Sequence, residues 1–189
     1  MLRRFGARSA MLCSLLMLGG LPLAHAEHEG FGFTFEADLE YGGDDLATFE
    51  FTDGSTQDIK TGQGITAALG GHYRATGSPF SVRGTVGYKY VTTKASNADI
   101  SIGRTVLELA GNYLWDNGWW VGAGITHHSG IKYDADGFGP DVDFDDATGP
   151  TLEVGWRWIA LTYTDLDYKD EFGGEWDASS VGLKLTTKF

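Results

Sequence analysis

Cysteine, proline and positive charge are all scarce in this chain. The one cysteine, Cys13, lies within the first 26 residues, so the rest of the chain has no disulfide and no thiol chemistry. Lys and Arg number 14 against 26 Asp and Glu, and the resulting net charge of −12 disfavours binding to nucleic acid. Past residue 26 no segment is continuously apolar, whereas glycine and aromatic residues are abundant. These features exclude a helical membrane protein and leave two alternatives, a soluble all-β domain or a barrel whose lipid-facing residues alternate with polar ones.

The N-terminal segment has the three parts of a secretory signal peptide. It begins with three arginines, continues with an apolar stretch over 11–21, and ends in the small-x-small cleavage site Ala24-His25-Ala26. A membrane-spanning helix needs about 20 apolar residues, so this stretch is too short to be one. We therefore expect a cleaved signal peptide over residues 1–26 and one domain over residues 27–189. Cys13 lies near the start of the apolar stretch, which argues against a lipid-anchored cysteine.

Two segments at opposite ends of the domain alternate between apolar and polar residues at the period of a strand. In residues 33–41 the apolar face runs from Phe33 to Tyr41, and the other face is Thr34 followed by three acids. Only a strand gathers these acids on one side, because a helix would scatter them. In residues 179–189 the apolar face ends at Phe189 and the polar face carries two lysines. Each segment is therefore predicted to be a strand with one apolar face.

The same alternation predicts eight strands, with connections that alternate between short and long. Asp116-Asn117-Gly118 is the strongest hairpin turn, because Asn-Gly accepts positive φ. Residues 151–168 carry no turn signal, and we place a tight turn near 158–160 because a barrel with both chain ends on one side has an even number of strands. The predicted strands are 33–41, 64–73, 80–91, one ending at Tyr113, 119–132, 151–158, 161–167 and one ending at Phe189. The predicted longer connections are 42–60, with a turn at 52–55, then 95–99, 133–148 and 168–176.

Aromatic residues fall near both ends of these strands. Such residues bracket the apolar band of a membrane barrel, whereas a soluble barrel would turn its charged residues outward. The set predicted at the end with short turns is Phe33, Tyr73, Phe80, Tyr113, Trp115, Trp119, Trp120, Trp156, Trp158 and Phe189. The set predicted at the opposite end is Tyr41, Tyr90, Tyr133 and Tyr168.

The whole domain resembles the small outer-membrane barrels that include opacity-type adhesins and OmpA-type barrel domains. The resemblance rests on the signal peptide, the alternating strands, the aromatic residues and Phe189, which is similar to the C-terminal assembly signal of such barrels. It implies an all-β fold, an eight-stranded antiparallel transmembrane β-barrel in the outer membrane of a Gram-negative bacterium. The implied partners are outer-membrane lipid, lipopolysaccharide and the barrel-assembly machinery, which would bind the strand ending in Phe189. The implied roles are adhesion, stress resistance, membrane integrity or lipid modification, and we expect a monomer with no cofactor.

Charged residues are predicted to line the inside of the barrel. Opposite charges in a low-dielectric interior must pair, so we expect an ion network that plugs the lumen. A narrow channel for small solutes is the alternative, although a lumen wide enough for water is typical of larger barrels. The residues predicted to face inward are Glu36, Asp38, Glu40, Arg83, Lys89, Glu108, Arg157, Lys184 and Lys188, with Glu153 on the same face of its strand.

The sharpest catalytic candidate is His127-His128-Ser129. His127 and Ser129 resemble the His-x-Ser pair of the lipid A deacylase family, and the alternation places both on the outward face. A serine nucleophile also needs a base oriented by an acid. Glu153 comes near this strand but faces inward, and Gly130 stands where the family has asparagine. The lipid A-modifying hydrolase is therefore the alternative, and a rim histidine is the favoured interpretation.

An acidic segment over 133–148 is the candidate metal site. Asp134, Asp136, Asp141 and Asp143 are its possible ligands, but the spacing of a calcium loop is not met. A solvated loop kept soluble by like charges is the simpler interpretation. The main hypothesis is a non-enzymatic outer-membrane barrel with acidic extracellular loops, structural, adhesive or membrane-stabilising in role.

Overall fold

The computed structural model describes residues 29–50, 56–95, 98–137 and 139–189. In these ranges, the segments that alternate between apolar and polar residues form strands. The predicted signal peptide, Cys13 and the turn at 52–55 lie outside these ranges. Within them, no helix is long and apolar enough to span a membrane. The strands are β1 (Gly30–Tyr41), β2 (Asp45–Glu50), β3 (Thr56–Lys60), β4 (Gly64–Arg74), β5 (Phe80–Ala95), β6 (Ala98–Leu114), β7 (Trp119–Asp134), β8 (Val142–Phe144), β9 (Ala147–Trp156), β10 (Ile159–Thr164), β11 (Asp167–Lys169), β12 (Glu175–Asp177) and β13 (Ser180–Lys188).

Eight of these strands close into an antiparallel barrel. The order around the ring is β1, β4, β5, β6, β7, β9, β10 and β13. Closure comes from β13 pairing with β1, with a register that runs from Thr34–Lys188 to Tyr41–Val181. Phe33 and Phe189 extend this ladder through reciprocal backbone hydrogen bonds of 3.0 and 2.9 Å. The predicted fold class, an eight-stranded antiparallel barrel, is confirmed.

The barrel is polar inside and apolar outside. Along β1 the buried side chains are Thr34, Glu36 and Asp38, whereas Phe33 and Leu39 are 68% and 61% exposed. A soluble barrel would expose charge and bury these apolar groups, because burial of apolar surface in water drives its folding. An apolar exterior is stable when lipid surrounds it, so the chain is a transmembrane barrel. The other exposed apolar residues of the wall include Ile65, Leu69, Val82, Val86, Leu107, Leu109, Val121, Ile125, Leu152, Val154, Leu161, Val181, Leu183 and Leu185.

Three short turns lie at one end of the barrel, which we call the turn end. Residues 75–79 join β4 to β5. The predicted turn at Asp116-Asn117-Gly118 joins β6 to β7, and Gly118 has the positive φ (87°) for which Asn-Gly is suited. Arg157 and Trp158 join β9 to β10 as a two-residue hairpin in which Trp156 pairs with Ile159. This turn lies one residue before the predicted position.

Because of this shift, the prediction that Arg157 faces the lumen is wrong. Its φ of 54° belongs to the turn, its side chain is exposed, and its guanidinium lies 4.7 Å from the ring centroid of Trp156. Trp120, predicted among the aromatic residues at this end of the strands, points into the lumen, where its Nε1 donates to the Arg157 carbonyl at 3.1 Å. Gly155 faces the Trp120 ring so closely that any side chain there would overlap it. Trp120 therefore fills the turn end of the lumen.

At the opposite end, the loop end, the connections fold into a cap. Here β2 pairs with β3, β11 pairs with β12, and β8 pairs with β7. Strands β5 and β6 also reach into the connection predicted at 95–99, because Lys94 pairs with Asp99 and Ala95 pairs with Ala98. Backbone hydrogen bonds join these hairpins, from Asp44 N to the Asp177 carbonyl at 2.8 Å and from Asp145 N to the Lys169 carbonyl at 2.8 Å. The cap encloses its own apolar core, which is formed by Ile59, Ile100, Ile102, Ile131, Phe144, Ala147, Leu166, Tyr168 and Ala178.

Two of the tyrosines predicted at this end belong to the cap. Tyr168 is fully buried, and Tyr133 is half-buried against the apolar core, whereas Tyr41 and Tyr90 are exposed as predicted. A bulge at Gly130 (φ 59°) reverses which residues of β7 point inward beyond it, because Gly130 and Ile131 together oppose the single residue Arg104. Ile131 thereby turns inward and contributes to the cap.

Candidate functional site

The middle of the lumen holds a network of five charged side chains from five strands. The Arg83 guanidinium binds three carboxylates: Glu36 at 2.8 Å, Glu153 at 2.9 Å, and Glu108. The Lys184 ammonium binds Glu153 at 2.6 Å and Glu108 at 2.9 Å. All five groups are nearly inaccessible to solvent. Such charges are tolerated in a low-dielectric interior only when they are paired and hydrogen-bonded.

Hydroxyl groups complete the coordination of the network. Thr85 donates to Glu36 Oε2 at 3.2 Å, and Thr186 donates to Glu36 Oε1 at 3.4 Å. These threonines lie on β5 and β13, the strands that carry Arg83 and Lys184. The network therefore ties strands on opposite sides of the barrel to one another.

A second level of charge lies nearer the loop end. Lys89 binds Glu40 at 2.8 Å, and Ser180 donates to the other oxygen of Glu40 at 2.9 Å. Arg104 is fully buried, donates to the Gln63 carbonyl at 3.0 Å, and lies 5.8 Å from the ring centroid of Tyr168. This level links the lumen to the underside of the cap.

Between the two levels lies a cavity of about 20 Å³. Asp38 and Thr66 line it, and both Oδ1 of Asp38 and Oγ1 of Thr66 are buried without a hydrogen-bond partner among the described residues. A space of this size holds about one water molecule. The lumen is therefore filled by side chains and does not form a continuous water-filled passage along the described strands.

The predicted network agrees with this arrangement in most of its members. Glu36, Glu108 and Glu153 meet Arg83, and Glu108 and Glu153 also meet Lys184. Lys89 meets Glu40, as expected for inward faces that carry opposite charges. Sequence reasoning missed Arg104, although it stands in phase with the inward Glu108 on β6 and could have been found from that alternation.

The ring of His127 contacts residues other than Ser129 in the structure. Nδ1 of His127 lies 2.8 Å from Oγ1 of Thr148, and Nε2 lies 3.9 Å from Oδ2 of Asp146. A triad needs one ring nitrogen at the serine and the other at the acid. Here both ring nitrogens face residues 146–148, and Glu153 belongs to the network of the lumen. The hydrolase assignment stays a prediction, and this geometry does not favour it.

Three of the four aspartates of the candidate metal site, Asp134, Asp141 and Asp143, make separate local contacts. Asp134 accepts from Asp136 N at 2.9 Å, and Asp141 accepts from Ala135 N at 3.0 Å. Asp143 lies 3.6 Å from the Lys132 ammonium. Among the residues with described positions, no group of three or more His, Asp or Glu side chains is placed to hold a metal ion.

A carboxylate orders the tip of the β11–β12 hairpin in the cap. Asp170 accepts from Gly174 N at 2.7 Å, from Phe172 N at 3.0 Å and from Trp176 Nε1 at 2.9 Å. The indole donor, followed by the backbone donors, holds the pKa of Asp170 below its usual value of 3.8. The ring of Phe172 stands 77% exposed at this tip.

Replacing Asp170 by alanine is expected to loosen the tip of this hairpin, because three donors lose their acceptor. Since the folded pKa is below the unfolded one, the contribution of Asp170 is complete above pH 3.8 and is lost as the pH falls through the lower, folded value. NMR should show the Trp176 indole resonance titrating below pH 3.8 in the native protein, and several-fold faster exchange of the Gly174 amide in Asp170→Ala. The control is Glu171→Ala, an exposed neighbour. An indole resonance that does not respond to pH would contradict the assignment.

Two solved structures are similar to this chain in fold. The crystal structure of Ail, the attachment invasion locus protein of Yersinia pestis, aligns with a TM-score of 0.48 at 10% identity, over 86% of this chain and 100% of that chain. Ail in complex with the heparin analogue sucrose octasulfate aligns with a TM-score of 0.47 at 13% identity, over the same shares. No protein-family model and no curated protein matches the chain. The strand pairings themselves, which close with β13 against β1, establish the eight-stranded barrel.

Proposed function

We propose that this protein is an integral outer-membrane β-barrel that acts as a closed, non-catalytic surface platform. The observation that carries the proposal is the combination of an apolar exterior with a lumen filled by ion pairs and roofed by a folded cap. A transporter would need an open lumen, and eight strands leave room for side chains and little else. What remains available for function is the outer surface of the cap.

The loop end is proposed to face the extracellular side. Bacterial outer-membrane barrels have short periplasmic turns and longer extracellular connections, and the turns at 75–79, 116–118 and 157–158 are the short ones here. The cap would then present a strongly acidic surface, since Asp and Glu far outnumber Lys and Arg along the connections at this end. Cationic partners are favoured by that charge, and polyanions are repelled.

The assembly partner proposed from the sequence also fits the geometry of β13. This strand is regular, and its outward residues Val181, Leu183 and Leu185 are followed by Phe189, which is 54% exposed at the turn end. Recognition of this strand by the barrel-assembly machinery, and contact of the wall with lipopolysaccharide, remain parts of the proposal.

Planar bilayers containing the purified protein are expected to show no stepwise conductance, because the five-residue network and the cap fill the lumen. The preparation must first show heat-modifiable migration in detergent gels, which reports a folded barrel. A porin recorded in the same bilayers is the positive control. Conductance steps would contradict a closed platform. Loss of an acyl chain from lipid A on expression, abolished in Ser129→Ala, would contradict a non-catalytic one.

A further inference from the structure

One large apolar side chain is exposed outside the lipid-facing wall. Among the described residues, the other large apolar side chains that are exposed lie on the eight barrel strands or at the turn end. Phe172 instead stands 77% exposed at the tip of the β11–β12 hairpin, residues 170–174, in the cap. A single exposed apolar side chain is common on protein surfaces, so exposure alone does not mark a site. The position, order and charge of this tip do distinguish it.

The tip lies well beyond the apolar band of the wall. On β7 the outward residues become polar at His127, and Lys132 lies five residues farther toward the loop end. At about 3.3 Å per residue and the strand tilt of such barrels, Lys132 is about 12 Å above that border. Asp143 pairs with Lys132, and the Glu171 amide donates to the Asp143 carbonyl at 3.3 Å. Phe172, which follows Glu171, is therefore out of reach of the lipid acyl chains.

The hairpin holds the ring of Phe172 in a fixed place. The Asp170 carboxylate accepts from two backbone amides of the tip and from the indole of Trp176, which packs against the cap core. Backbone hydrogen bonds close the turn, from Gly173 N to the Asp170 carbonyl and from Asp170 N to the Gly174 carbonyl, both at 3.0 Å. A side chain that is ordered before binding loses little conformational entropy when a partner binds it.

The surface around the tip is negatively charged. Two lysines of this region are paired with carboxylates, in the pairs Lys169–Glu175 at 2.9 Å and Lys132–Asp143 at 3.6 Å. The exposed carboxylates of Glu171 and Asp145 come in addition to these pairs, and the Asp145 amide donates to the Lys169 carbonyl at 2.8 Å. The described residues therefore surround Phe172 with an excess of negative charge, which attracts a cationic surface.

We propose that Phe172 is the apolar anchor of a docking site for a cationic protein, one that offers an apolar pocket bordered by lysine or arginine side chains. The ring enters the pocket, and Glu171 pairs with the basic border. Protein interfaces concentrate their binding energy in such central aromatic residues, with a polar rim around them. The inference rests on the proposed function, because it assigns a partner to the outer surface of the cap. A glycolipid head group that carries phosphates is disfavoured, since the same carboxylates repel it.

A synthetic host with the chemistry of the proposed partner tests the anchor. Amine-substituted β-cyclodextrin has an apolar cavity that admits a phenyl ring and is bordered by ammonium groups. In NMR spectra of the protein in phospholipid nanodiscs, this host should shift the amides of Gly173 and Gly174. Phe172→Ala should weaken the binding on the order of tenfold, since the ring supplies the apolar contact. The matched control is Phe31→Ala, which removes a ring that is 70% exposed at the turn end and should leave the binding unchanged.

The charge around the ring has its own test. Unmodified β-cyclodextrin has the same cavity without charge and should bind more weakly, and Glu171→Gln should reduce the preference for the charged host about threefold. Each variant must keep heat-modifiable migration and the Trp176 indole resonance, so that a disordered tip is recognised separately.

Three results would overturn the proposal. Equal binding of the charged host by the native protein and by Phe172→Ala would show that the ring is not the anchor. Equal binding of the two hosts would exclude a cationic partner. Shifts of the Gly173 and Gly174 amides with added lipopolysaccharide, and none with the charged host, would assign the tip to a glycolipid. Conductance steps contradict the closed platform without changing binding at the tip, so the two failures are distinguishable.

Discussion

Replacing Arg83 by methionine is expected to lower the free energy of unfolding by about 3–5 kcal/mol, which is the cost of removing one partner from a buried ion pair. Methionine keeps much of the length and apolar stem of arginine, so the change removes charge and leaves little empty space. Glu36, Glu108 and Glu153 would then share only the Lys184 ammonium in an interior that excludes solvent. We expect this to be the largest effect of any single charge removal in the lumen.

Denaturant unfolding of the barrel in lipid vesicles, followed by gel mobility, measures this effect. The control is Arg157→Met, because the guanidinium of Arg157 is exposed in a turn and stacks on Trp156, a contact worth about 1 kcal/mol or less. Adding Glu153→Gln to the Arg83→Met variant should recover part of the loss, since it removes one of the unpaired charges. Equal stability of Arg83→Met and the native barrel would show that the network does not stabilise the fold.

The wall and the lumen of the barrel could be predicted from the sequence because a strand has a strict period of two. Once Phe33 and Leu39 were assigned to the outside, Glu36 had to lie inside, and the same rule placed Arg83, Glu108 and Lys184. The rule fails where the register changes. The turn at Arg157–Trp158 begins one residue before its predicted position, and Arg157 consequently leaves the lumen. Trp120 follows the rule, because its neighbours Trp119 and Val121 face outward and the alternation therefore places Trp120 inside.

The cap could not be predicted in this way. Its core brings Ile59 and Phe144 together from connections that are mostly polar and acidic, and single apolar residues in such segments carry no periodic signal. Their burial depends on contacts between hairpins that are far apart in the chain. The same holds for the candidate site. The Lys89–Glu40 ion pair could be predicted because both residues lie on inward strand faces, whereas the contact of Arg104 with the Tyr168 ring depends on how the cap packs on the barrel.

Tyr168 joins the cap to the barrel, and replacing it by alanine is expected to unfold the cap while the barrel remains closed. Its ring is fully buried, 5.7 Å from the centroid of Phe144, and its Oη lies 2.6 Å from Nδ1 of His128. Burial raises the pKa of Tyr168 to about 12, so the phenol remains a hydrogen-bond donor at neutral pH. Removing a buried aromatic ring lowers the free energy of unfolding by about 3–5 kcal/mol. That is a large share of the stability that a unit as small as the cap can have.

Hydrogen exchange and limited proteolysis of the protein in vesicles distinguish loss of the cap from loss of the barrel. In Tyr168→Ala, amides of β11 and β12 should lose protection and protease should cleave within residues 165–178, while amides of β5 and β6 below the cap stay protected, as expected for units that open separately. Tyr168→Phe keeps the ring and removes only the bond to His128, so its effect should be smaller, about 1 kcal/mol. Phe172→Ala removes an aromatic ring that is 77% exposed and serves as the surface control. If Tyr168→Ala left protection of the cap unchanged, the apolar core described here would not be what holds the cap on the barrel.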